Sequence, residues 1–128
     1  MADRLKDKKI LLLEPDTMLG MGLIGMLKRE GAIVKHIGTV GELKDELKRE
    51  KPSLIIAEML LYNDKSNLED MSNAIVALKR ETPLIFHTTQ AREIESLKHI
   101  PGVKAIGKVD PSELIDLAVE TVQEQLQR

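Results

Sequence analysis

Five short apolar runs recur along this chain, and the segments between them carry helix signals. The runs are 9–14, 32–37, 53–58, 83–88 and 103–107. Runs this short and this rich in Ile, Leu and Val read as strands buried on both faces. Between them, Thr39 with Glu42 and Ser66 with Glu69 form capping boxes. The last helix opens Asp110-Pro111-Ser112-Glu113: a cap, a proline at the first helical position, and an acid in the first turn. Gly31 follows the cationic turn Lys28-Arg29-Glu30, and Gly102 follows Lys98-His99-Ile100-Pro101, so both read as stops. Strands alternating with helices through short connections imply a parallel sheet covered on both faces.

The 128 residues fit one domain. Residues 1–8 read as an N-terminal extension, and 123–128 as a polar tail or the start of a linker. A net charge of −2 gives no basic excess for a phosphate backbone, so no nucleic-acid binding by this domain is expected. The chain has no cysteine, which excludes disulfides and Cys-based zinc sites. No apolar stretch approaches the roughly 18 residues of a membrane span, and no signal peptide is visible. A cytoplasmic protein without membrane contact is the expectation. Aromatics make up only 2% of the chain, so the core is built from Leu, Ile, Val and Met.

Two runs end in glutamate: Ile10-Leu11-Leu12-Leu13-Glu14 and Leu54-Ile55-Ile56-Ala57-Glu58. The carboxyl ends of parallel strands are where α/β sheets place their ligands. Asp16 follows Glu14 after Pro15. The fourth run, Leu84-Ile85-Phe86-His87-Thr88, ends in a hydroxyl, and the fifth run is followed by Lys108. Carboxylates, a hydroxyl and a lysine around one crevice suit a phosphoryl group. His87 reads as a structural histidine, because no second catalytic group is placed for it. His36 and His99 carry no metal-ligand spacing with it.

From about Lys8 to about Leu126 this order and spacing resembles the receiver domains of bacterial response regulators, in an atypical variant. The resemblance implies a CheY-like, flavodoxin-like (βα)5 fold with a doubly wound five-stranded parallel sheet of order 2-1-3-4-5. It implies a receiver-like signal-transduction role in a two-component or phosphorelay system. Receivers hold an acid pair after strand one for Mg²⁺; Glu14 and Pro15 match. They take a phosphoryl group on an aspartate ending strand three; Glu58 matches. Thr88 matches the switch hydroxyl and Lys108 the pairing lysine. Ala105 stands where an aromatic changes rotamer, and Val109 where a proline follows the lysine.

Acceptor, metal ligand and readout are thus altered together. Displacing an attacking oxygen by about 1 Å can cost on the order of 10²-fold, and Mg²⁺ demands near-octahedral oxygen geometry. The only donors left for a metal are Glu14, Asp16, Glu58 and the carbonyl of Leu60, so none is expected to be bound as a cofactor. The leading reading is a pseudo-receiver that acts by protein–protein interaction and is not an enzyme. Glu58 would meet Lys108 and Thr88 directly and hold one conformation. The alternative is an atypical but phosphorylatable Mg²⁺-dependent regulator, with Asp16 as ligand and Asp64 or Glu58 as acceptor. A small-ligand α/β domain ranks below both, since no Gly-rich cradle follows strand one.

The expected first helix, Thr17 to Glu30, holds Leu19, Leu23, Met26 and Leu27 on one face for the sheet. Met21 and Ile24, beside Gly25, form a second apolar stripe. Its glycines suggest close approach by another surface. This stripe is an interface candidate for a protein partner, an output domain or a homodimer. The surface of the fourth helix, fifth strand and fifth helix is the face the resemblance implies for the same purpose.

Overall fold

The structure is a computed structural model, and it describes residues 3–58, 82–87, 103–107 and 110–126. Five strands lie within those residues: β1 (Lys9–Leu13), β2 (Ile33–Ile37), β3 (Leu54–Ala57), β4 (Leu84–His87) and β5 (Val103–Ile106). They form one parallel sheet in the order β2-β1-β3-β4-β5. Three described helices flank it: α1 (Thr17–Arg29), α2 (Val40–Arg49) and α3 (Pro111–Leu126). The Ser66–Glu69 capping box and the Gly102 stop lie outside the described residues, as do the segments expected to be helical between β3 and β4 and between β4 and β5.

Side chains alternate across a strand, so consecutive leucines of β1 enter different cores. Leu11 and Leu13 join Ile37, Val40, Leu43, Ile55, Ala57, Leu84 and Phe86 on the α2 side. Ile10 and Leu12 join Leu23, Leu27, Leu54, Ile56, Ile85, Leu114 and Ala118 on the side of α1 and α3. Burial on both faces is what a near-continuous apolar run requires.

The helix ends follow the capping signals. The Asp16 carboxylate accepts from the Leu19 amide at 3.1 Å, and the Thr39 hydroxyl accepts from the Glu42 amide at 3.1 Å. The Ser112 amide donates to the Asp110 carboxylate at 3.0 Å. Gly31 ends α1 with φ at 90°, where an added Cβ would lie 2.8 Å from the Lys6 Cα. Glycine is required there for conformation and for space.

The first residues do more than extend the chain. Leu5 is fully buried in the core beneath α1 and α3. Its amide donates to the Glu30 carbonyl at 2.8 Å, and the Asp7 amide donates to the Gly31 carbonyl at 3.1 Å. Arg4 grips the Glu30 carboxylate through two nitrogens, at 3.0 and 2.7 Å, and reaches Asp116 at 3.3 Å. The segment therefore straps α1 to α3. At the other end α3 runs on to Leu126, and Glu124 pairs with Lys104 of β5 at 3.0 Å.

Candidate functional site

The strand register sets the acids side by side. Leu13 pairs with Ala57 across β1 and β3, so the next residues, Glu14 and Glu58, leave neighbouring strands at the same level. Neighbouring strands lie about 4.8 Å apart. The Glu58 amide donates to the Leu13 carbonyl at 2.8 Å, which holds the two strand ends together. Ala57 pairs in turn with Phe86, which puts His87 of β4 level with Glu58. Glu14 is 3% exposed, Glu58 8%, and His87 is buried. Three ionisable side chains thus occupy one level at the carboxyl edge of the three central strands.

Each acid around β1 already has a task. The Glu14 carboxylate accepts from the Asp16 amide at 3.1 Å, closing the turn around Pro15. The Asp16 carboxylate caps α1. Drawing Asp16 towards a metal would cost that cap, about 0.5–2 kcal/mol. Among the described residues no group of three carboxylate or imidazole side chains is arranged to hold a metal ion. Of the donors expected for a metal, Glu14, Asp16 and Glu58 lie among the described residues. Thr88, Lys108, Leu60 and Asp64 lie outside the described residues. Ala105 is half-buried and packs against the core cluster that contains Phe86.

One arrangement at this edge was not anticipated. His36 stands on edge strand β2 level with Leu12, on the sheet face that α1 covers. Its Nε2 lies 2.8 Å from the Glu14 carbonyl oxygen. A carbonyl only accepts, so Nε2 carries the hydrogen and donates. The ring reaches that oxygen across Gly20, where an added Cβ would lie 2.5 Å from His36 Cε1. Gly20 belongs to the buried stripe Gly20, Leu23 and Leu27. A glycine in place of a core leucine was the signal that another side chain passes there.

The outward face of α1 also differs from the stripe read in the sequence. Ile24 turns half inward and packs on the core with Leu19 and Met26. The outward stripe is Met18, 85% exposed, and Met21, 66% exposed, followed by the exposed Gly22 and Gly25. Nothing lies within 4 Å of a Cβ built on Gly22 or Gly25. Of the three glycines in α1, close approach by other described residues explains Gly20 alone. No described helix is long and apolar enough to cross a membrane.

No family model matches the chain, and no curated relative matches it in sequence. Solved structures do match it. A CheY-like response regulator receiver domain protein from Methanospirillum hungatei aligns with 23% identity and a TM-score of 0.78, over 95% of this chain and 98% of that one. A signal receiver domain from Vibrio parahaemolyticus gives 19% identity and a TM-score of 0.79, over 94% of each chain. The non-phosphorylated HemR receiver domain from Leptospira biflexa gives 21% identity and a TM-score of 0.76, over 91% of this chain and 94% of that one. With its five parallel strands in the order 2-1-3-4-5 and its acids at the carboxyl edge, this chain has the fold of the response-regulator receiver domains.

Proposed function

We propose that this domain is a pseudo-receiver: a cytoplasmic, non-enzymatic signalling module read by a protein partner or an output domain, and not switched by aspartyl phosphorylation. The observation that carries this reading is the acid arrangement at the carboxyl edge. A buried glutamate, Glu58, follows β3, the position that the resemblance matches to the acceptor aspartate. Beside it, the Glu14 carboxylate accepts an amide of the β1–α1 turn, and Asp16 caps a helix.

A carboxylate on a longer stem carries one negative charge towards the phosphoryl position, against roughly two for a phosphate. On this reading Glu58 serves as a fixed counter-charge for Lys108 and as an acceptor for the Thr88 hydroxyl. An ion pair at about 4 Å is worth about 1–4 kcal/mol in Coulomb terms at effective dielectric constants from water to about 20, before desolvation. That is enough to bias a two-state element without a kinase.

The test is an amide-shift titration by NMR with Mg²⁺, then with beryllofluoride. The expected result is no saturable shift at Glu14, Glu58, Thr88 or Lys108. Saturable shifts there that spread into β5 would refute the reading and make the domain a working receiver. The variant carrying Pro15→Asp and Glu58→Asp is the companion measurement. If it binds beryllofluoride and the natural chain does not, the scaffold is competent and the two substitutions account for the loss.

A further inference from the structure

Oxidant chemistry in this chain falls to its thioethers. It has no cysteine and no tryptophan, and it has six methionines. Three of them lie on α1, in unlike surroundings. Met26 is half-buried and packs against the core beneath the helix. Met18 is 85% exposed and Met21 66%.

The neighbours of the exposed pair leave it open. Helical side chains lean towards the helix start, so the side chain four positions on lies over a given residue. Four positions after Met18 stands Gly22, and four positions after Met21 stands Gly25. Both glycines are exposed, and nothing lies within 4 Å of a Cβ built on either. Neither can shield a thioether, although a larger side chain would fit in both places. Helix propensity is given up at both positions, and no close approach by a described residue requires it.

We propose that Met18 and Met21 form a reversible oxidation site on the outward face of α1, with a peroxide as the oxidant. The thioether sulfur attacks one peroxide oxygen. The O–O bond breaks, an S–O bond forms, and water leaves. Sulfur loses two electrons and the peroxide gains them. The product is a polar, chiral sulfoxide, which methionine sulfoxide reductases return to the thioether. Neither Met18 nor Met21 belongs to a core cluster. The face of α1 therefore turns from apolar to polar while the fold stands. Oxidation of Met26 would instead set a polar oxygen against the core. The inference is independent of whether the acid edge accepts a phosphoryl group, because the reaction needs only the exposed sulfur atoms.

The experiment is a timed exposure of the folded full chain to hydrogen peroxide, followed by tryptic mapping. Trypsin releases Ile10 to Lys28 as one peptide, so the three methionines of α1 are compared within it. Met18 and Met21 should convert faster than Met26 by about fivefold or more, since susceptibility follows exposure. The two epimer-specific reductases together should return both sulfoxides in the folded chain. Gly25→Leu should slow Met21 by about twofold or more and leave Met18 unchanged, because a side chain then lies over only one of the pair. Unfolding is compared in a chain carrying Met26→Leu, Met59→Leu and Met71→Leu, so that only the proposed pair and Met1 react. Its urea midpoint should be the same before and after oxidation. Equal rates for the three methionines, a midpoint lowered by oxidation, sulfoxides beyond the reach of the reductases, or no slowing of Met21 in G25L would each overturn the proposal.

Discussion

Replacing the three glycines of α1 by alanine, one at a time, should give opposite signs from a single helix. Alanine exceeds glycine in helix propensity by about 0.8–1 kcal/mol. At Gly22 and Gly25 nothing lies within 4 Å of the new methyl group, so that gain should appear nearly whole. At Gly20 the methyl would lie 2.5 Å from His36 Cε1 and 2.7 Å from Nε2, so the ring must move. Moving it breaks the 2.8 Å hydrogen bond to the Glu14 carbonyl. A lost hydrogen bond costs about 0.5–1.5 kcal/mol, and inserting a methyl group into a filled space costs about 1–3 kcal/mol. His36 is half-buried on an edge strand, so the ring can swing and the lower half of that range applies. The net for G20A is a destabilisation of about 1–2 kcal/mol, and G20A and G22A should differ by about 2–3 kcal/mol. The assay is urea unfolding at low protein concentration, comparing midpoints at constant slope. A double-mutant cycle completes it: in a His36→Ala background, G20A should stabilise by about 1 kcal/mol, because the obstacle is gone. If G20A stabilises the natural chain as much as G22A does, His36 does not pack there and its hold on the β1–α1 turn is refuted.

Two further outcomes test the strap at the start of the chain. Gly31→Ala combines an L-residue at φ of 90° with a Cβ 2.8 Å from the Lys6 Cα, so it should destabilise by about 2–4 kcal/mol, read as a lowered urea midpoint. The Arg4 guanidinium, hydrogen-bonded to Glu30, holds the Glu30 carboxyl below its ordinary value of 4.5. A carboxyl depressed on folding stabilises above its unfolded value, and that contribution is lost as pH falls through the folded value. Glu30→Gln should therefore lower the midpoint at pH 7. The difference from the natural chain should shrink below about pH 4.5 and vanish in stronger acid; a pH-independent difference would mean that Glu30 acts by packing alone.

The sheet was legible because its information is local. Each strand is an apolar run with its own boundaries, and Thr39, Gly31 and Asp110 announce their helix ends within four residues. The two buried acids were legible for the same reason, since a glutamate closing an apolar run has few places to go. Asp16 was harder. An aspartate beside a candidate ligand position and one position before a helix reads equally as ligand or cap, and the cap is what forms. His36 over Gly20 joins residues sixteen apart through a sheet pairing that no local pattern encodes. Leu5 was hidden for a related reason: a lone leucine between Arg4 and Lys6 has no period, and its partners lie on α1 and α3. The division between Ile24 and Met18 turned on where the inward stripe of α1 is centred. Gly20, counted as part of that stripe, moves the centre and leaves Met18 outside.

Among the described residues the two cores lie on opposite faces of the sheet, and β1 alternates between them. Leu11 and Leu13 face one compartment and Leu12 the other, with all three fully enclosed. Apart from Phe86, the described apolar interior consists of methyl-bearing aliphatic residues, so isotope-labelled methyl groups would report on nearly all of it. A partner that docks on the α2 side and is felt at α1 must therefore send its strain through the partition, by tilting β1 or β3. Consecutive leucine methyls of β1 would then shift in step. A disturbance confined to one compartment would move alternate leucines and leave those between them still.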